Sequence, residues 1–316
     1  MAVDPIEYLK EEKIDDRLLR GIEKFRDQYP TPEKWKARVP VPQYFYYGTD
    51  VWRKALAALL EGENLLLIGP KATGKNVLAE NLAAVLGRPM WNISFHINVD
   101  ASYLIGADTY NGKEVVFRPG PVTLAAENGG FAVLDEINMA KNEALAVLHS
   151  ILDFRRVIDL PGYDRIDVNP ATRFIGTMNY GYAGTRELNE ALCSRFAVLQ
   201  MPVIAEDDLK KLFRRSFPDM KPDIAEQFMK LFYDLQKKAE HADISERAVD
   251  LRGLLDACRM IRRGITSGEA LEMTVTDKSF DTYERGLIHD AIAARIPEDL
   301  TAEDVFESSG GSSVRE

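Results

Sequence analysis

Eight residues, Gly69-Pro70-Lys71-Ala72-Thr73-Gly74-Lys75-Asn76, set turn-forming types and a lysine at a point where an apolar run gives way to a helical pattern. In such a turn the backbone N–H groups converge on an anion, and the helix start adds its partial positive charge. Lys75 would reach the β- and γ-phosphates of a nucleotide. The pattern is GxxxxGK, usually followed by Ser or Thr and here by Asn76. Alone, this degenerate loop fits an ordinary strand–loop–helix turn equally well. Asp135-Glu136 shifts the balance. The pair closes the apolar run Phe131–Leu134, and ligands of open parallel sheets bind outside that end of a strand. Asp135 is placed to hold Mg2+ through its water shell, and Glu136 to orient or deprotonate a water attacking a γ-phosphate. The plainer alternative is a pair of acids that favour the dipole of the next helix.

These groups need a scaffold, and the hydrophobic pattern supplies one. Short apolar runs at 64–68, 90–95, 131–134, 173–178 and 197–201 read as strands, with helices at 51–60, 75–86 and 144–152 between them. Gly87 stands just past the second helix, where a left-handed cap belongs. Strands alternating with helices imply a mainly parallel sheet covered on both faces. Asn111-Gly112 predicts a tight hairpin between 107–110 and 114–117, and Pro161-Gly162 a second one within 157–168. Beyond Pro202 the periodicity is helical, at 209–217, 224–238, 247–262 and 283–294. Upstream, residues 5–28 read as helix, Pro30, Pro32, Pro40 and Pro42 as a connector, and Tyr44–Tyr47 as a core anchor or interface patch rather than a nucleotide-stacking platform.

With these residues in order, the chain resembles an AAA+ ATPase, and within that superfamily the MoxR branch and its AAA_5 relatives. Gly69–Asn76 is similar to Walker A, and Val133-Leu134-Asp135-Glu136-Ile137-Asn138 to Walker B. Phe117–Val122 resembles the FRPGP stretch of MoxR-like proteins. Phe174–Asn179 resembles the strand that ends in the sensor 1 asparagine, and Leu188–Phe196 the helix that ends in the arginine finger. Ser245-Glu246-Arg247-Ala248 is similar to the start of the lid helix that bears the sensor 2 arginine. The resemblance spans roughly residues 48–265 and implies ATP and Mg2+ as ligands.

It further implies that Asn179 contacts the lytic water and the γ-phosphate, and that Arg195 acts in trans on a neighbour's nucleotide, which requires a ring. Arg186 is a second, weaker candidate for that task. Arg247 would read the γ-phosphate from the lid. Inserts at about 98–120 and 155–168 would face the ring axis or one surface, although Val115, Val116 and Phe117 also suit plain hairpin packing. Two departures stand out. Asn76 replaces the hydroxyl that ligates Mg2+, leaving a water-mediated contact, and Lys71-Ala72 replaces the usual Pro-Gly pair. Either change could slow hydrolysis.

Composition bounds the rest. Hydrophobic residues make up 46% of the 316, enough for a sizeable core, and charged residues 28%. A net charge of −10 argues against a life on nucleic-acid phosphates. Two cysteines and four scattered histidines offer neither a disulfide framework nor a zinc spacing, and no apolar run approaches a membrane span. The expectation is a cytoplasmic α/β protein: a P-loop AAA+ core, a parallel sheet between helices, with a smaller all-helical lid. Its divisions are an N-terminal extension at 1–47, a nucleotide-binding domain at 48–203, a lid at 204–295 and a disordered acidic tail at 296–316. The expected function is that of a remodelling or chaperone-like ATPase, active as a homo-oligomeric ring, a hexamer. Its expected partners are a von Willebrand factor A domain protein and a protein client, with no membrane. The alternatives are a nucleic-acid-associated motor and a nucleotide-binding scaffold with negligible hydrolysis.

Overall fold

The computed structural model describes residues 4–159, 162–179, 187–246 and 248–307. The chain divides into two units, Met1–Pro202 and Val203–Glu316. The first opens with helices α1 (Pro5–Glu11) and α2 (Asp16–Gln28), each begun by an aspartate, Asp4 or Asp15, whose carboxylate accepts the N–H two residues on. There follow α3 (Thr49–Leu60), β1 (Leu65–Ile68), α4 (Lys75–Val85), β2 (Met90–Ser94), α5 (Ala101–Ile105), β3 (Gly106–Tyr110), β4 (Val115–Pro119), α6 (Pro121–Glu127) and β5 (Phe131–Asp135). The unit continues with α7 (Asn142–Leu145), α8 (His149–Leu152), β6 (Val157–Ile158), β7 (Ile166–Asp167), β8 (Arg173–Met178), α9 (Glu190–Cys193) and β9 (Ala197–Gln200).

Five strands form one parallel sheet in the order β2-β5-β8-β1-β9. All of β1 and the first four residues of β5 are buried, as strands covered on both faces must be. Leu66, Ile93, Leu134 and Phe174 join Ala125 and Leu148 in one core, each large side chain contributing about 1.5–3 kcal/mol on burial. From β1 the chain crosses to the far edge at β2, whereas β9 lies on the other side of β1. The strand order therefore reverses at β1, and the C-terminal ends of β5, β8 and β1 stand side by side, the end at which ligands of open parallel sheets bind.

The sequence set residues 1–47 apart, yet they are built into the first unit. Tyr8 is buried, its hydroxyl donating to the Tyr46 carbonyl at 2.5 Å while Trp52 Nε1 donates to the same oxygen at 2.8 Å. Thr31 Oγ1 donates to Gly87 O at 2.6 Å and Trp35 Nε1 to Asn128 Oδ1 at 2.9 Å. Tyr46 and Tyr47 are buried with them, which suits a core anchor.

In the first hairpin Tyr110 pairs with Val115, and Asn111 N–H donates to Glu114 O at 3.1 Å. The tip is therefore Gly112-Lys113, one residue later than expected, because the Asn111 side chain accepts the N–H groups of Lys113 and Glu114 instead of sitting at the turn centre. Val115 does not pack: it is 63% exposed, and Tyr110 69%. Phe117 does pack, partly buried against the core and against the ring of Tyr163.

The second unit is helical: α10 (Glu206–Ser216), α11 (Pro222–Glu240), α12 (Leu251–Arg262), α13 (Ser267–Thr274), α14 (Thr282–Ala293) and α15 (Ala302–Val305). The stretch expected as a disordered tail from 296 is ordered through 307. Ile296, Val305 and Phe306 are buried, and Phe306 bridges to Met220. The acids of this stretch sit outside while its few apolar residues are fixed inside. Residues 308–316 lie outside the described residues. Among the described residues no helix is long and apolar enough to cross a membrane.

Candidate functional site

The phosphate-loop residues lie between β1 and α4. A Cβ at Gly69 would come within 2.9 Å of Met201 O, so only glycine fits where the chain leaves the sheet. Gly74 has φ +78°, and a Cβ there would approach the Tyr46 ring to 3.1 Å. Ala72 adopts φ +60°, the left-handed angle that a glycine would take freely and that costs an alanine about 1–2 kcal/mol. Pro70 O accepts from Thr73 Oγ1 at 3.0 Å, tightening the turn around Lys71. Lys75 opens α4 and is 8% exposed; its Nζ donates to Gly69 O at 2.8 Å and Pro70 O at 2.7 Å. A phosphate oxygen would offer that ammonium a charged acceptor, roughly twice as strong as a carbonyl.

Asp135 and Glu136 stand at the end of β5, beside the end of β8. Asp135 accepts from two sides: Asn76 Nδ2 donates to its Oδ2 at 3.1 Å, and Thr177 Oγ1 to its Oδ1 at 2.5 Å. Glu136 is left-handed at φ +54°, ψ +45°. Its N–H donates to Thr177 Oγ1 at 3.0 Å, and its Oε1 accepts from Asn179 Nδ2 at 3.1 Å. Asn138 Nδ2 donates to Asn179 O at 2.8 Å, tying the segment after β5 to the end of β8. The structure thus brings together the loop, both carboxylates and Asn179.

Arg195 stands apart from that cluster. Its Nε donates to His149 O at 3.1 Å, another guanidinium nitrogen donates to Ala191 O, and the third lies 3.6 Å from Asp153 Oδ2. Asp153 also accepts from Arg155 through both oxygens, and that guanidinium holds the carboxyl down at about 2. Arg186 and Arg247 lie outside the described residues. The helix expected to start at 247 starts at Leu251, with Asp250 before it. Sequence reasoning passed over Thr177, which read only as part of a buried strand, and Asp153, for which no motif existed.

Among the described residues no group of three His, Cys, Asp or Glu could cage a metal ion. Mg2+ needs no such cage, because it is commonly held by one or two carboxylates plus substrate phosphates and waters. Asp135 beside a loop shaped for phosphates fits that donor set.

A parallel sheet with this strand order, a phosphate loop after its β1 strand and paired carboxylates where β5 ends defines the AAA+ P-loop fold. The AAA domain of the dynein-related subfamily matches residues 64–196, and the chain shares a family with the staphylococcal proteins SH1500 and SAB1265c. Uncharacterized protein SH1500 of Staphylococcus haemolyticus (strain JCSC1435) is 35% identical over 256 residues, 79% of this chain and 97% of that one. Uncharacterized protein SAB1265c of Staphylococcus aureus (strain bovine RF122 / ET3-1) is 36% identical over 255 residues, 78% and 97% of the two chains. A solved structure of a Thermotoga maritima RuvB mutant aligns with 79% of this chain and 71% of that one, at 19% identity and a TM-score of 0.49. AAA+ proteins bind nucleotide, typically with Mg2+, and usually assemble as rings.

Proposed function

We propose that this chain binds ATP with Mg2+, hydrolyses it, and works in the cytoplasm as a MoxR-type ring, a hexamer, that remodels a protein client alongside a von Willebrand factor A domain partner. The observation that carries the reading is the pair of side-chain links Asn76–Asp135 and Asn179–Glu136. They gather three motifs, far apart in the chain, at the C-terminal ends of neighbouring strands.

Residues 69–76 present N–H groups to the phosphates, and Lys75 exchanges a carbonyl partner for a phosphate oxygen. Mg2+, when bound, would neutralise charge on the β- and γ-oxygens. Asp135 would hold it, with Asn76 steadying that carboxylate. Asn179 engages Glu136 Oε1 and leaves Oε2 to take the proton of the attacking water. Arg195, tethered to two carbonyls of its own subunit, serves the neighbour's nucleotide. The β3–β4 hairpin, with Tyr110 and Val115 exposed, offers the client an apolar edge.

Lys75→Ala tests the phosphate loop. ATP affinity should collapse while the fold, followed by circular dichroism, persists. Wild-type affinity in that variant would sink the assignment.

A further inference from the structure

We propose that Thr177 is a positioning residue that sets both carboxylates of the site at once; the inference rests on the ATPase reading above. Thr177 is 1% exposed near the end of β8. A hydroxyl has one proton and two lone pairs. Here the proton goes to Asp135 Oδ1 at 2.5 Å, and a lone pair accepts the Glu136 N–H at 3.0 Å. One oxygen atom thus fixes the rotamer of the metal-holding acid and the backbone of the base.

The second of these bonds matters because of strand geometry. Adjacent residues on an extended strand point to opposite faces, and residues two apart to the same face. Asp135 and Glu136 are adjacent, yet they meet Thr177 and Asn179, which are two apart. The backbone must therefore turn between the two acids, and the left-handed conformation of Glu136 is that turn. For a residue other than glycine such a conformation is strained and persists only where neighbours hold it. The Thr177–Glu136 bond holds it here. With Asn76 on Oδ2, both oxygens of Asp135 are gripped by neutral donors, which holds the carboxylate in one orientation.

Thr177→Val keeps the shape and removes the hydroxyl. ATP affinity measured in EDTA should stay within about twofold of wild type. The tightening of ATP binding by Mg2+ should shrink about 10- to 100-fold, the scale seen when a partner of a metal-holding group is removed. Turnover number should fall with KM for ATP little changed. Thr177→Ser should recover both quantities. Thr177→Ser and Thr177→Ala differ only in the hydroxyl, so that pair decides the matter if the valine variant does not fold. Wild-type Mg2+ dependence in Thr177→Val, or equal behaviour of the Ser and Ala variants, overturns the proposal while leaving the ATPase reading intact. A wild-type chain that binds no ATP overturns both.

Discussion

Asn76 donates its side-chain amide to Asp135 Oδ2 at 3.1 Å, so the residue that stands where the resemblance expects a hydroxyl is engaged with the acid proposed to hold Mg2+. A hydroxyl at this position could donate to Asp135 and still turn a lone pair toward Mg2+ at ~2.0–2.1 Å. The amide oxygen, carried one bond further out, cannot reach that position without moving the helix start. Asn76→Thr should therefore strengthen Mg2+ binding by about 1 kcal/mol, the net worth of one polar contact. Titration should show half-maximal turnover at several-fold lower Mg2+. An unchanged or higher requirement would make Asn76 a full substitute.

Arg195 is tied to the carbonyls of His149 and Ala191 and paired with Asp153. Arg195→Ala should leave ATP binding intact and cut turnover about a thousandfold or more, as expected for an arginine acting in trans. Mixing Arg195→Ala with Glu136→Gln subunits should restore some activity, because one interface then carries both intact groups. Exchanged mixed rings that stay inactive would argue against trans action.

Asp153 makes a smaller, separable contribution. Its carboxyl is held at about 2, chiefly by the Arg155 hydrogen bond, against an ordinary value of 3.8. The folded-state value is depressed, so the stabilisation is complete above pH ~4 and is lost only as pH falls toward ~2. Turnover between about pH 5 and 8 should owe no inflection to this group. Asp153→Asn should lower turnover less than about tenfold, since two carbonyls still hold Arg195. A loss equal to that of Arg195→Ala would show the carboxylate to be the main tether.

The N-terminal extension should be a stability element of the first unit. Tyr8→Ala empties a buried aromatic site and should cost about 3–5 kcal/mol, lowering Tm on the order of 10 °C. Tyr8→Phe should cost only about 1 kcal/mol, because Trp52 Nε1 still serves the Tyr46 carbonyl. Equal melting of Tyr8→Ala and wild type would mean that the extension does not dock in solution.

What the sequence made legible was local. The strands around the site are apolar runs closed by Gly69, Asp135 and Asn179, and an apolar run bounded by such residues has few other readings. Contacts between distant segments were not legible. Nothing near Thr177 marks its hydroxyl as different from any in a buried strand, and its role appears only when β5 lies beside β8. Tyr8 meets Tyr46 across 38 positions for the same reason. The helix at Ser267–Thr274 had a readable signal, the capping box of Thr266 with Glu269, which was passed over because its apolar stripe is short. The order at 296–307 was masked by composition: acids dominate the count, whereas Ile296, Val305 and Phe306 decide the packing.

The central claim is that Glu136 is the base of an ATP hydrolysis site, and Glu136→Gln tests it most directly. The amide keeps the side chain's size and the backbone bond to Thr177 but cannot take a proton. Nucleotide affinity and ATP turnover should be measured side by side on assembled protein with Mg2+. The account predicts wild-type ATP affinity with hydrolysis slowed about a hundredfold or more. Turnover within a few-fold of wild type would contradict it and place the base elsewhere.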